Sequence, residues 1–264
     1  MTNTRQPTLF IPHGGGPCFF MDDPAGNWTG MADFLKSIPA SLAAKLKAIL
    51  VVSGHWETHG FAFTGAAKPP LIYDYGGFPA HTYELRYDAP GDPVLAARAA
   101  DLVHGAGLIA TVDPTRGLDH GVFVPMKVAF PDADIPVVEM SVDRDLDPAL
   151  HAAAGRALAP LRDEGVLIVG SGMSFHNMRG YGDPRFTVPS EAFDQWLTAA
   201  VEAEPATRAQ ALADWAEAPA GRLSHPREEH LLPLMVAAGA SDQPGTQVYN
   251  ERVLQTAISG YRFT

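Results

Sequence analysis

Apolar runs divide the chain at fairly regular intervals, and most of them stop at a glycine, a proline or a histidine. Thr8-Leu9-Phe10-Ile11-Pro12 reads as a buried strand that Gly14-Gly15-Gly16-Pro17 ends abruptly, leaving His13 at its tip. Between Met31 and Ala48, the residues Phe34, Leu35, Leu42 and Leu46 recur at roughly helical spacing, interrupted by Pro39. The run Ile49–Ser53 then predicts a second strand leading into Gly54-His55-Trp56-Glu57. From Lys68 to Pro93 no period holds. Tyr73, Tyr75, Phe78, His81, Tyr83 and Tyr87 alternate there with proline and glycine, as expected of a long functional loop that forms a lid or a wall of a binding site.

An alanine-rich helix is predicted from Asp92 to Val103, begun by Pro93, followed by a short strand at Leu108–Val112. Gly117-Leu118-Asp119-His120-Gly121 opens the apolar stretch Val122–Phe130, read as a short helix on the sheet. Ile135–Ser141 is a predicted strand, Pro148–Leu161 a helix, and Gly165–Gly172 the most hydrophobic strand of this half. A more polar helical region spans Glu191 to about Glu217, and a last helix about Glu229 to Ala238. This alternation predicts an α/β fold: a single-domain three-layer α/β/α sandwich around a mostly parallel central sheet, one domain over residues 1–264.

With 264 residues, 46% of them hydrophobic, the chain can bury one large core. The net charge of −11 and the lack of a basic stripe argue against nucleic acid as a partner. Neither a charged-then-apolar leader nor a run of about 18 apolar residues occurs, so no export and no membrane span are expected. The expected setting is cytoplasmic, as a monomer or a homodimer. Cys18 stands alone, which rules out an intramolecular disulfide and a Cys-rich zinc site and leaves His, Asp and Glu as ligands. It is read as a buried or neutral thiol rather than a nucleophile.

Five histidines far apart in sequence, His13, His55, His120, His176 and His230, each follow an apolar run or sit at the mouth of a turn. Strands of one sheet would deliver their imidazoles to a common edge, where α/β folds build active sites. Imidazole is the commonest metal ligand and titrates near neutral pH, so the cluster suggests a metal together with an acid/base group. His13 and His55 are read as ligands, with a turn or core histidine as the alternative. His176 is read as an acid/base group or a ligand. For His120 a functional and a structural reading stand level, and His230 also fits a polar first helical turn. Glu57 is a ligand, a base, an acceptor for an imidazole N–H or a surface carboxylate. Tyr73, Phe78, His81 and Tyr83 are candidates to contact a substrate, against ordinary loop packing. His59, His104 and His151 read as solvated surface or helix residues, and His225 as a turn residue.

The blocks Ile11-Pro12-His13-Gly14-Gly15, Ser53-Gly54-His55-Trp56, Tyr75-Gly76-Gly77-Phe78-Pro79, Asp119-His120-Gly121, Pro131-Asp132-Ala133-Asp134-Ile135-Pro136-Val137 and Phe175-His176-Asn177 follow in order along the chain. Through them the sequence resembles, over nearly its whole length, the class III extradiol ring-cleaving dioxygenases, in the branch similar to 4,5-DOPA dioxygenase. The resemblance implies a non-haem Fe(II) held by His13, His55 and His230, an acid/base role for His176, and a place for His120 on the substrate and oxygen side. A small catechol-type molecule and O2 would be the reactants. Non-haem iron oxygenases commonly use two histidines and one carboxylate, so Glu229 stands in reserve as the third ligand. Three histidines also describe a catalytic Zn(II) site. Two further readings therefore stay open: a zinc-dependent hydrolase with Glu57 or His176 activating water, and a non-catalytic metal-binding interaction protein marked by a filled or narrowed pocket.

Overall fold

In the computed structural model, which describes residues 5–264, the apolar runs become strands of one eight-stranded sheet. The strands are β1 (Thr8–Pro12), β2 (Ala48–Thr58), β3 (Phe61–Thr64), β4 (Ala110–Asp113), β5 (Val137–Asp143), β6 (Val166–Gly172), β7 (Gly245–Val253) and β8 (Thr256–Phe263). Their order is β4-β3-β5-β2-β6-β1-β8-β7. The central strands β5, β2, β6 and β1 run parallel, as β3 does to β4. The antiparallel pairings are β3 with β5, and β8 with β1 and β7.

The helices are α1 (Thr29–Ser41), α2 (Pro93–Gly105), α3 (His120–Ala129), α4 (Pro148–Leu158), α5 (Thr187–Glu202), α6 (Pro205–Ala213), α7 (Gly221–Ser224) and α8 (Leu232–Gly239). Successive strand residues point to opposite faces. Leu50 and Val52 accordingly join a core built with α2, α4, α5 and α8, while Ile49 and Val51 join one built with α1 and α3. The three layers follow from this alternation. The starts of α2 and α4 are set by an Asp-Pro pair. Asp92 accepts from the amides of Val94 and Leu95, Asp147 from those of Ala149 and Leu150, and each proline fills a first-turn position that needs no N–H.

Several elements depart from the sequence pattern. β3 and the C-terminal hairpin of β7 and β8 are additions, and they supply the sheet's antiparallel pairings. β2 runs on to Thr58, so His55 lies within a strand rather than beyond it, in a stretch where the register with β5 shifts between Val52 and Glu57. Such irregularities re-aim side chains. The last helix begins at Leu232, which leaves Glu229 and His230 in the turn before it. His151, read as a solvated surface or helix residue, lies in α4 but is fully buried: its Nε2 accepts from the Asp143 amide at 3.0 Å and its Nδ1 donates to the Asp147 carbonyl at 2.7 Å, tying α4 to β5. Among the described residues no helix is long and apolar enough to cross a membrane.

Candidate active site

The parallel strands β1, β2 and β6 end side by side, and the histidines gather beyond or at those ends. His13 follows β1 directly, its amide bonded to the Gly172 carbonyl at 3.2 Å. His230 arrives from the turn before α8, which crosses the strand ends so closely that only glycine fits beneath it. A Cβ on Gly54 would lie 2.6 Å from the Glu229 carbonyl oxygen, and one on Gly172 would overlap the carbonyl oxygen of His230. Gly172→Ala should therefore push His230 off the site. The expected result is a fall in metal affinity of about 10- to 100-fold, the scale of losing a supporting contact, measured by equilibrium dialysis on protein whose circular dichroism remains native. Unchanged affinity would count against this account of how His230 is placed.

The Nε2 atom of His55 stands 3.2 Å from that of His13 and 3.1 Å from that of His230. Nitrogen ligands ~2.1 Å from one ion sit about 3.0 Å apart at right angles and about 3.4 Å apart at tetrahedral angles, so these spacings suit a shared cation. The outer nitrogens set the tautomers of His13 and His230. Ser171 donates its hydroxyl to the Gly121 carbonyl, so at 3.2 Å from His13 Nδ1 it can only accept. His230 Nδ1 faces Glu229 Oε1 at 2.9 Å, and His55 Nδ1 faces Asp74 Oδ2 at 3.6 Å. With Nδ1 of His13 and of His230 carrying the proton, their Nε2 lone pairs face His55 Nε2 from two directions, an arrangement that suits a shared metal ion. Burial, reinforced by the neighbouring imidazoles, holds His13 and His230 well below the usual histidine range and lowers His55 to about 4, so all three are neutral and ready to ligate.

Glu229 stands on the far side of the His230 ring from this point, not among the Nε2 atoms. Its Oε1 serves both His230 Nδ1 and, at 3.2 Å, His176 Nδ1, while Arg227 lies 3.4 Å from its Oε2. Burial works against its charge, yet the bonds from His176 and His230 keep the carboxyl well below its usual range. Glu57 is turned away from the histidines and clasped by both terminal nitrogens of Arg227, at 2.5 and 2.6 Å. It is thus neither a ligand nor placed to activate a water.

The His176 ring stacks on that of His230, with centroids 3.4 Å apart and planes at 16°. Its Nδ1 being engaged, Nε2 is the nitrogen left for the cavity that His176 lines. His120, the first residue of α3, gives both its amide and its Nδ1 to Asp74 Oδ1, at 3.0 and 2.8 Å. Burial opposes the Asp74 charge, but these bonds from His120 hold its carboxyl below the ordinary range. Asp74 thus orients His120 and sets its other oxygen near His55, and sequence reasoning missed it. Its one signal is being a lone carboxylate between Tyr73 and Tyr75. Ser53 and Ser171, register partners on β2 and β6, were also missed; Ser53 donates to Asp119 at 2.8 Å and anchors the start of α3.

All five histidines line one cavity of about 370 Å³. Of the four expected substrate contacts, Phe78 lines it, joined by Tyr75. Tyr73, His81 and Tyr83 do not. Tyr73 donates to the Leu85 carbonyl, Tyr83 to that of Tyr75, and His81 Nε2 lies 3.0 Å from the Phe20 carbonyl, so these side chains brace the loop. His225 is buried against Phe193 and Trp215, outside the cavity. Cys18 is also buried, which pushes its thiol up to about 12 and leaves it without thiolate at neutral pH.

The family model described as the catalytic LigB subunit of aromatic ring-opening dioxygenase matches residues 7–263. "Dioxygenase tasH" of Hapsidospora irregularis is 40% identical over 277 residues, covering 97% of this chain and 84% of its own. The "4,5-DOPA dioxygenase extradiol" of Beta vulgaris is 41% identical over 242 residues, covering 89% and 87%. A crystal structure of "uncharacterized protein JW3007" from Escherichia coli K12 superposes with a TM-score of 0.78 at 29% identity, over 98% of this chain and all of that one. Matched from end to end by that model and by relatives of this similarity, and carrying a histidine cluster that could bind a metal ion, the chain belongs to the LigB family of aromatic ring-opening dioxygenases.

Proposed function

We propose that the protein opens a catechol ring beside its diol, with Fe(II) held by His13, His55 and His230 and with His176 as the acid/base group. Membership of the family makes the substrate a small aromatic molecule and the co-reactant O2. The observation that carries the reading is the convergence of the Nε2 atoms of three imidazoles that burial keeps neutral, two of them bonded at Nδ1 to Ser171 and Glu229. Bound Fe(II) would supply a centre that chelates the diol and transfers electrons to O2. His176 Nε2 takes a proton from one catechol hydroxyl, and Glu229 at Nδ1 stabilises the imidazolium so formed. The same nitrogen returns the proton to a product oxygen as the ring opens, with both atoms of O2 retained. His120, oriented by Asp74, offers Nε2 for a hydrogen bond to the substrate.

Zn(II) would suit the same three imidazoles but carries no redox chemistry. A hydrolase reading loses Glu57 to Arg227 and keeps only His176 to activate water, and a purely structural metal site does not need an open cavity beside it. Reconstitution under nitrogen with Fe(II), then addition of oxygenated catechol, should give one O2 consumed per yellow ring-opened product, and Zn(II)-loaded protein should give none. Product formed without O2 uptake, or equally with zinc, would overturn the proposal.

A further inference from the structure

Beyond the histidines, the cavity is walled by Trp28, Tyr75, Phe78, Met178, Tyr181 and Leu254. Among the described residues, no Lys, Arg, Asp or Glu lines it. Its phenols are spoken for: Tyr75 donates to the Thr82 carbonyl and Tyr181 to that of Phe175, at 2.6 and 2.7 Å, so both present rings rather than hydroxyls. An apolar cavity of ~150 Å³ holds a single benzene ring, so about 370 Å³ leaves room for a substituent at least as large as the ring. These walls are half-buried and Met178 is 72% exposed, so a carboxylate or ammonium held against them would lose part of its water and find no opposite charge.

Leu254 adds an independent observation. It and Gln255 form the two-residue turn between β7 and β8, with φ of 46° and 72°. Two left-handed residues suit Asn-Gly, and a leucine there is strained. The strain is held in place by bonds from the Gly182 amide to the Leu254 carbonyl and from the Thr187 hydroxyl to the Gln255 carbonyl. The strained Leu254 is accounted for by what its side chain touches, the cavity on one side and the buried cluster of Met173, Phe175 and Tyr249 on the other, rather than by the turn it makes.

Resting on the catechol-cleaving reading above, we infer that the substrate's ring substituent is uncharged and apolar, and that Leu254 and Met178 select it. Amino-acid catechols are therefore poor substrates of this chain. Arg179, next to Met178 in the chain, opens onto a separate cleft with Arg185, Phe186 and Leu223.

The test is a series with one ring and a varied tail: 4-propylcatechol, 3-(3,4-dihydroxyphenyl)propanoate, dopamine and L-DOPA. Oxygen uptake by the Fe(II) enzyme should favour 4-propylcatechol in kcat/KM by about tenfold or more over each charged analogue, the scale of one unpaired buried polar group. Calorimetric binding of the series under nitrogen should give the same order without turnover. Leu254→Asn should raise Tm by relieving the turn while raising KM for 4-propylcatechol, and M178R should shift preference toward the propanoate. Equal or better binding of the propanoate or L-DOPA, lost in Arg179→Ala, would overturn the inference and leave the reaction standing. The predicted binding order with no oxygen uptake on any catechol would do the reverse.

Discussion

His55→Ala should leave a folded protein that binds no stoichiometric iron and takes up no oxygen with any catechol. Its Nε2 is within 3.2 Å of both others, so its loss removes the atom that both face. The drop in metal affinity should exceed the ~100-fold upper scale of losing an outer partner, because a ligand itself is removed. The fold should not suffer. The side chain is about a fifth exposed, and the packing of that stretch rests on Ser53 and Trp56. Differential scanning calorimetry should thus show a metal-free Tm close to the parent's, while added Fe(II) raises Tm only in the parent, since an ion stabilises solely by binding the native form. Stoichiometric iron in the variant would refute the ligand assignment.

The same region shows what a sequence does and does not disclose. His13, His55 and His176 were legible because each follows a run of apolar β-formers, and a parallel sheet buried on both faces needs such runs. Their outer partners were not. Asp74 sits in a loop without period, and its tie to His55 and His120 exists only once that loop folds over the strand ends. The hairpin of β7 and β8 escaped for two local reasons. Its turn is Leu254-Gln255 rather than a glycine-bearing pair, and β7 is an edge strand that carries Glu251 and Arg252 outward. β3 is four residues long, too short for an alternation to register. His230 was ambiguous for a related reason. A polar turn before a helix looks alike whether it meets water or, through Gly54 and Gly172, a metal site.

His176→Phe should separate proton transfer from metal binding. The phenyl ring keeps the stack on His230, so the His230 imidazole stays in place and iron affinity should remain within a few-fold of the parent's. What disappears is a nitrogen that can take and return a proton, a function contributing typically ~10²–10⁴-fold in rate. Oxygen uptake at saturating catechol should fall by that amount, with a smaller change in KM, and the limb of the pH profile belonging to the base should vanish. Glu229→Gln should behave differently. Its Oε1 serves His176 and His230 together, so the amide weakens metal binding and slows proton transfer at once, each by about 10- to 100-fold. Two variants at adjacent points of one hydrogen-bond chain then give distinct signatures, one confined to turnover and one spread over both measurements. A His176→Phe enzyme that cleaves catechol at the parent rate would remove His176 from the chemistry and leave Glu229 acting on the metal site alone.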